Sequence, residues 1–150
     1  MTISATITAY QTLHAAITGV TSAPTAMPMS LNTSDLPLAF TWPGPTIEQR
    51  GWTPYGGWYE HRRFYIVRCY VKPIAQGTGF DDGYQTALTL LQRFGTAYMG
   101  DANLSGAVMS IGPQIYDSGV RGDFQWVAGS DVYYHGFEFR IETVEKVVTP

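Results

Sequence analysis

The sixteen residues Trp58–Pro73, WYEHRRFYIVRCYVKP, constrain the fold more than any other stretch of the chain. They read as one strand of unusual length. Tyr65, Val67, Cys69 and Val71 stand at every second position and are all apolar. Phe64, Ile66 and Tyr70 share the alternate face with Arg68 and Lys72. A period of two with one apolar and one mixed face describes a strand whose first face is core and whose second is half-covered. Upstream, PLAFTW (37–42) predicts a short strand that Pro43-Gly44-Pro45 ends, followed by the tip TIEQRGWTPYGG (46–57). The two strands and this tip read as one extended hairpin.

Two helices flank the hairpin in sequence. Over residues 3–17, Ile3, Ile7, Tyr10, Leu13, His14 and Ile17 fall on one stripe at the helical period, and Gly19 stops the run. Residues 20–36 hold two prolines and many Ser and Thr and read as an extended surface connection. Over 81–99 the expected stripe is Tyr84, Ala87, Leu88, Leu91 and Tyr98. Asp81 and Asp82 lie at the positive end of the helix dipole, and Gly100 is a plausible C-cap. The remainder reads as three strands: 107–117 broken near Gly112-Pro113, then 124–129, then 133–148. In the last, Phe137, Phe139 and Ile141 point inward and Glu138, Arg140 and Glu142 outward. The phase slips at Val144, for which a bulge is the expected cause. The order implies one α+β domain over 1–150, with a mostly antiparallel sheet, an extended hairpin arm and both helices packed on one face.

Composition narrows the function. Charged residues make up 14% of the chain against ~25% in typical soluble domains, so part of its surface is expected to be covered by another chain. A formal net charge of −3 argues against a protein built to grip phosphates. The single cysteine, Cys69, excludes an internal disulfide. The first ten residues carry no positive charge and no long apolar run, so no export signal is expected. No stretch approaches the ~18 apolar residues of a membrane span.

No catalytic constellation stands out. Gly77-Thr78-Gly79 before a helix resembles the start of a phosphate loop, but no full glycine motif follows and Asp81-Asp82 would repel an anion. His14, His61 and His135 are far apart and none has a partner at metal-ligand spacing. His14 reads as a core-edge residue, His135 as a packing residue and Cys69 as a buried, inert thiol. A Cys69–His135 dyad is the one hydrolytic alternative. Asp81 and Asp82, adjacent on a helix, point ~100° apart and suit a solvated first turn better than acid-base work. The expectation is therefore a non-enzyme with no cofactor and no metal.

The aromatics differ. Trp42, Trp52, Tyr55, Trp58 and Tyr59 lie close together among Gly and Pro that deny them a regular element. Large aromatics on a surface loop mark association. The expected interface set is Arg50, Trp52, Tyr55, Trp58 and Tyr59. The competing readings are a loop folded onto its own sheet and a stacking platform for sugar or base; with only Arg50, Arg62 and Arg63 nearby, nucleic-acid stacking is weakened.

DLPLAFTWPGP (35–45), RRFYIVRCYVKPIAQGTGF (62–80) and LTLLQRFGTAY (88–98) together resemble the tail-terminator, or tail-completion, proteins of long-tailed bacteriophages. The shared pattern is an N-terminal helix, an LP-apolar-PGP strand, an Arg-bounded strand ending in a V-x-P-x-x-Q-G turn, a second helix and closing strands. It covers about residues 3–99, and related neck proteins share the plan. The resemblance implies a ring, commonly a hexamer, that caps the tail tube and joins it to the head-connector (stopper) protein. Its partners would be further copies of itself, the tail-tube protein and the connector, with DNA only as passing cargo and no membrane. Its place would be the virion neck, after assembly in the bacterial cytoplasm. The alternatives are another head-tail joining protein, or a small phage-associated binding module that recognises carbohydrate or peptide through the aromatic loop.

Overall fold

The structure is a computed structural model that describes residues 3–51, 58–74, 80–129 and 132–148. Helices α1 (Ile3–Ala15) and α2 (Phe80–Gly100) accompany strands β1 (Leu38–Gly51), β2 (Trp58–Pro73), β3 (Ser110–Asp117), β4 (Arg121–Phe124) and β5 (Tyr134–Val148). The sheet order is β1-β2-β5-β3, with β4 pairing β5 beyond the end of β3, and every pairing between named strands is antiparallel. The fold is α+β. Both helices contribute to one core on one face of the sheet, as the alternation in β2 and β5 predicts: Tyr65, Val67, Cys69, Val71, Phe137, Phe139 and Ile141 are all buried there.

Four expectations about the strands and α2 need correcting. Pro43-Gly44-Pro45 does not end the first strand, which runs on to Gly51 through two register shifts, after Pro43 and after Thr46. β1 is an edge strand, so a proline there need not break the ladder to β2. Ala39 N–H points away from β2, to Ser22 O. By alternation the donor that Pro43 lacks also faces the open edge. Second, the strand expected at 124–129 lies earlier, at Arg121–Phe124. Third, β5 has no bulge after Glu142: its register with β2 is continuous from Trp58↔Val148 to Tyr70↔Gly136. The inward phase carries on through Thr143 and Glu145, polar side chains that are nonetheless buried. The shift that does occur, between Tyr70 and Lys72, sits opposite Gly136, where a Cβ would lie 2.1 Å from Cys69 O. Only glycine admits that approach.

The fourth correction concerns α2. Its buried face is Gly83, Ala87, Leu90, Phe94 and Tyr98, while Tyr84 and Leu88 are exposed and Leu91 is half-buried. Tyr84, Leu88 and Leu91 do form a stripe, but it runs to one side of the core-facing one.

α1 is an unpromising helix by composition: four of its thirteen residues are Thr or Ser and no acid lies in its first turn. Tertiary bonds dock it. Gln11 Nε2 donates to Pro24 O (2.6 Å) and Ala39 O (2.8 Å), and Gln11 Oε1 accepts from Thr41 (2.8 Å) and from His14 Nδ1 (2.8 Å). Two carbonyl acceptors fix the orientation of the amide. They also require the proton on His14 Nδ1, so the neutral ring's Nε2 accepts from Tyr98 OH at 2.7 Å. His14 is thus fully buried, not at the core edge, and burial pulls its pKa down to about 3.

The opposite face of the sheet carries a second, aromatic cluster. Tyr70, Phe124 and Tyr134 are buried there under Leu31, Leu36, Trp42 and Trp126. Trp42, grouped by sequence with the loop aromatics, lies within β1 and packs on Phe40 (4.7 Å between ring centres) and Trp126 (5.9 Å). It is partly buried within its own subunit.

Candidate interface at the hairpin arm

β1 and β2 pair from Leu38↔Tyr70 out to Gly51↔Tyr59, the extended hairpin that the sequence predicts. The arm is wider than two strands, however, because β5 follows β2 to Trp58↔Val148. Among the described residues the main core cluster draws on β2 from Tyr65 to Val71 and on β5 from Phe137 to Ile141. Beyond β3's last partner, Val144, the three strands continue together for about four residues of β5, or ~14 Å.

The root of this arm is fixed by polar contacts. Glu145, buried on β5, accepts from Tyr65 OH (2.7 Å) and Thr6 Oγ1 (3.0 Å), which ties α1 to the sheet at the arm's base. Tyr10 OH bonds Thr143 on the same strand. Arg63 Nη1 donates to Gly44 O at 2.7 Å, across the first register shift of β1. His61 Nε2 lies 3.3 Å from Thr46 Oγ1 across the second shift. Burial and the nearby Arg63 guanidinium lower the His61 pKa, and Glu145 opposes them. On the other face Arg62 bridges Glu142 (3.3 Å) and Glu60 (3.8 Å).

Sequence reading names Tyr10, Tyr65, His61, Arg62, Arg63 and Glu142 without these bonds, and it does not name Thr6, Thr46, Thr143 or Glu145 at all. Glu145 was legible in principle: keeping β5 at a strict period of two places it in phase with Phe137, whatever its polarity. Gln11 and Thr41 gave no signal, because nothing in α1 or β1 alone says that they meet.

The expected interface residues fall at the arm's far end. Arg50, Trp58 and Tyr59 stand on paired strand positions, Arg50 opposite Glu60 and Trp58 opposite Val148, but their side chains lie outside the described residues. Trp52 and Tyr55 lie outside them altogether, as does Gly77-Thr78-Gly79.

The candidate dyad is not assembled by register. Cys69 pairs with Phe137, whereas His135 stands opposite Lys72, past the register shift. Burial drives the Cys69 thiol well above its usual range, opposite to what a nucleophile requires. His135 packs against α2 where Gly83 leaves room: a Cβ there would come within 2.8 Å of its ring. Asp82, exposed in the first turn of α2, is held below its ordinary pKa by its hydrogen bond to Lys72 at 2.6 Å. Among the described residues no group of three His, Cys, Asp or Glu could hold a metal, and no helix is long and apolar enough to cross a membrane. No protein-family model matches the chain, and no curated protein matches it.

Proposed function

We propose that this chain is a ring-forming tail terminator of a long-tailed bacteriophage, which caps the tail tube and joins it to the head connector. The observation that carries the reading is the arm: three strands run past the helix-covered core and lead to a segment, 52–57, rich in aromatics and glycine. Among the described residues the main core ends before the paired strands do, and the arm's far end is taken as the surface offered to a neighbour. A head-to-tail contact that closes gives a cyclic ring and needs two different surfaces per subunit. The arm supplies one, and the scarcity of charge agrees with extensive covering by other chains. The mildly acidic balance suits a ring through which DNA passes without being held.

The test is loss of the gene product from its phage. The expected result is filled heads beside unjoined tails, restored to joined particles by the intact chain. Joined particles that fail to adsorb would instead favour the carbohydrate- or peptide-binding alternative, and ordinary infectious particles would overturn both.

A further inference from the structure

Among the described residues the sheet ends in β1 on one side and in β3 and β4 on the other. β1 is 14 residues long, against ~5–6 for an ordinary strand. Residues 36–47, LPLAFTWPGPTI, contain no Asp, Glu, Lys or Arg, and neither do residues 102–116, which include all of β3 but Asp117. A long uncharged strand with its outward N–H and C=O groups free is a template for another chain.

The two edges share one arrangement. On β1 the connection from α1 covers the root: Ser22 bridges Leu38 in parallel, and Ala39 N–H donates to Ser22 O at 3.0 Å. The next outward positions are Thr41 and Pro43, and the register shifts directly after Pro43. Pro45, within the shifted stretch, brings no N–H either. Both prolines are exposed. Gly44 between them is pressed onto β2, where a Cβ would lie 2.7 Å from Phe64 O, and its carbonyl accepts from Arg63. On β3, Ile111 N–H donates to Ala102 O at 2.6 Å, in the loop after α2. The register then shifts between Ile111 and Ile115, around Pro113, and the pairing ends with Ile115, Tyr116 and Asp117. On each edge a loop of the same chain takes an early donor, and a proline follows at a register shift. β4 is guarded differently, by its four-residue length and the exposed ion pair Arg121–Asp123 at 2.6 Å.

We propose that Pro43 and Pro45 on β1 and Pro113 on β3 close the sheet to strand addition, so that no further extended chain, this one included, lengthens it at those positions. Each proline withholds the donor that a new ladder needs, and each shift turns the edge out of line with a straight partner. They stand in uncharged stretches, where the charged side chains that guard other edges are missing. The closure holds with or without a ring, because a closed ring has a fixed mass and strand addition is open-ended.

Sedimentation of the full chain over a concentration series separates the two kinds of growth, with thioflavin T as the probe of new strand pairing. The parent should keep a discrete mass, monomer or closed ring. Pro43→Thr with Pro45→Thr should keep the parent's far-UV spectrum, bind the dye and grow in mean mass at least ~10-fold between ~10 μM and ~1 mM. Pro113→Thr should do the same more weakly, because β3 is the shorter edge. Pro43→Ala with Pro45→Ala restores the N–H groups with less strand preference, and replaces the threonine pair if that variant does not fold. Trp126→Ala loses stability without touching an edge and should keep the parent's mass. A parent that grows without limit, folded proline variants that keep a discrete mass, or a Trp126→Ala variant that grows as they do would each overturn the proposal.

Discussion

The sheet is buried on both faces, and by different means. On one, two helices close a core in which Phe94 touches Phe137 (5.0 Å between ring centres) and Phe139 (6.3 Å), with a hydrogen-bonded chain from Ala39 through Gln11 and His14 to Tyr98. On the other, loops take the place of helices: Trp126 lies on Tyr70 (5.2 Å) and Trp42 (5.9 Å), and Arg68 stacks over Phe124 at 5.0 Å. The helix-covered face makes the fold. The loop-covered face tolerates exposed methionines and paired charges, so it is the face freer to change for a partner.

The contrast predicts unequal costs. Phe94→Ala should destabilise by ~3–5 kcal/mol, the range for a fully buried aromatic. Trp126→Ala should cost about 2 kcal/mol, because Trp126 is only half-buried and one of its bonds is to a loop carbonyl. Chemical denaturation of the two variants checks the order; equal costs would mean that the loop-covered face is as much core as the other.

The polar chain through the helix-covered face adds a pH test. His14 is depressed to about 3 in the fold and returns to its ordinary 6.5 on unfolding, so between those values the unfolded chain binds more protons. Stability is complete above about pH 6.5 and falls as pH falls. At pH 5 the loss is about 2 kcal/mol, from ~1.36 kcal/mol per pH unit. Burial also lowers the pKa of His61 and His135, which act in the same direction. Melting of the parent and of His14→Gln between pH 7 and 5 reads this, and the variant should lose less stability across the interval. The smallest effect belongs to Leu88→Ala, which should stay within ~0.5 kcal/mol because Leu88 is exposed.

How legible each part was follows from the physics. β2 and the inward half of β5 were readable because a period of two and burial coincide there. Leu88 misled because an apolar stripe on a helix marks a face without saying whether this chain or another covers it. Pro43 misled because a proline stops a central strand and is tolerated on an edge, and sheet order is a long-range property. Trp42, at the end of the predicted strand 37–42, was grouped with the tip aromatics although its partners, Phe40 and Trp126, lie within its own subunit. The arm was legible as a hairpin, but its third strand was not: that β5 runs beside β2 to Val148 depends on pairing across some eighty positions of sequence. Of the proposed site, sequence could offer only the aromatic content of the tip.

The role of that tip is the central claim, and one double variant tests it most directly. Trp52→Ser with Trp58→Ser removes two large side chains, each able to take 150–250 Å² from water on docking. At ~25 cal/mol per Å² this is several kcal/mol across the pair before ordering costs. In the complemented phage, electron microscopy should show heads and tails that remain apart, while the purified variant keeps the far-UV spectrum of the parent. Joined, infectious particles carrying the variant would show the arm to be dispensable, and an unfolded variant would place the two tryptophans in the subunit's own core; either result would contradict the account.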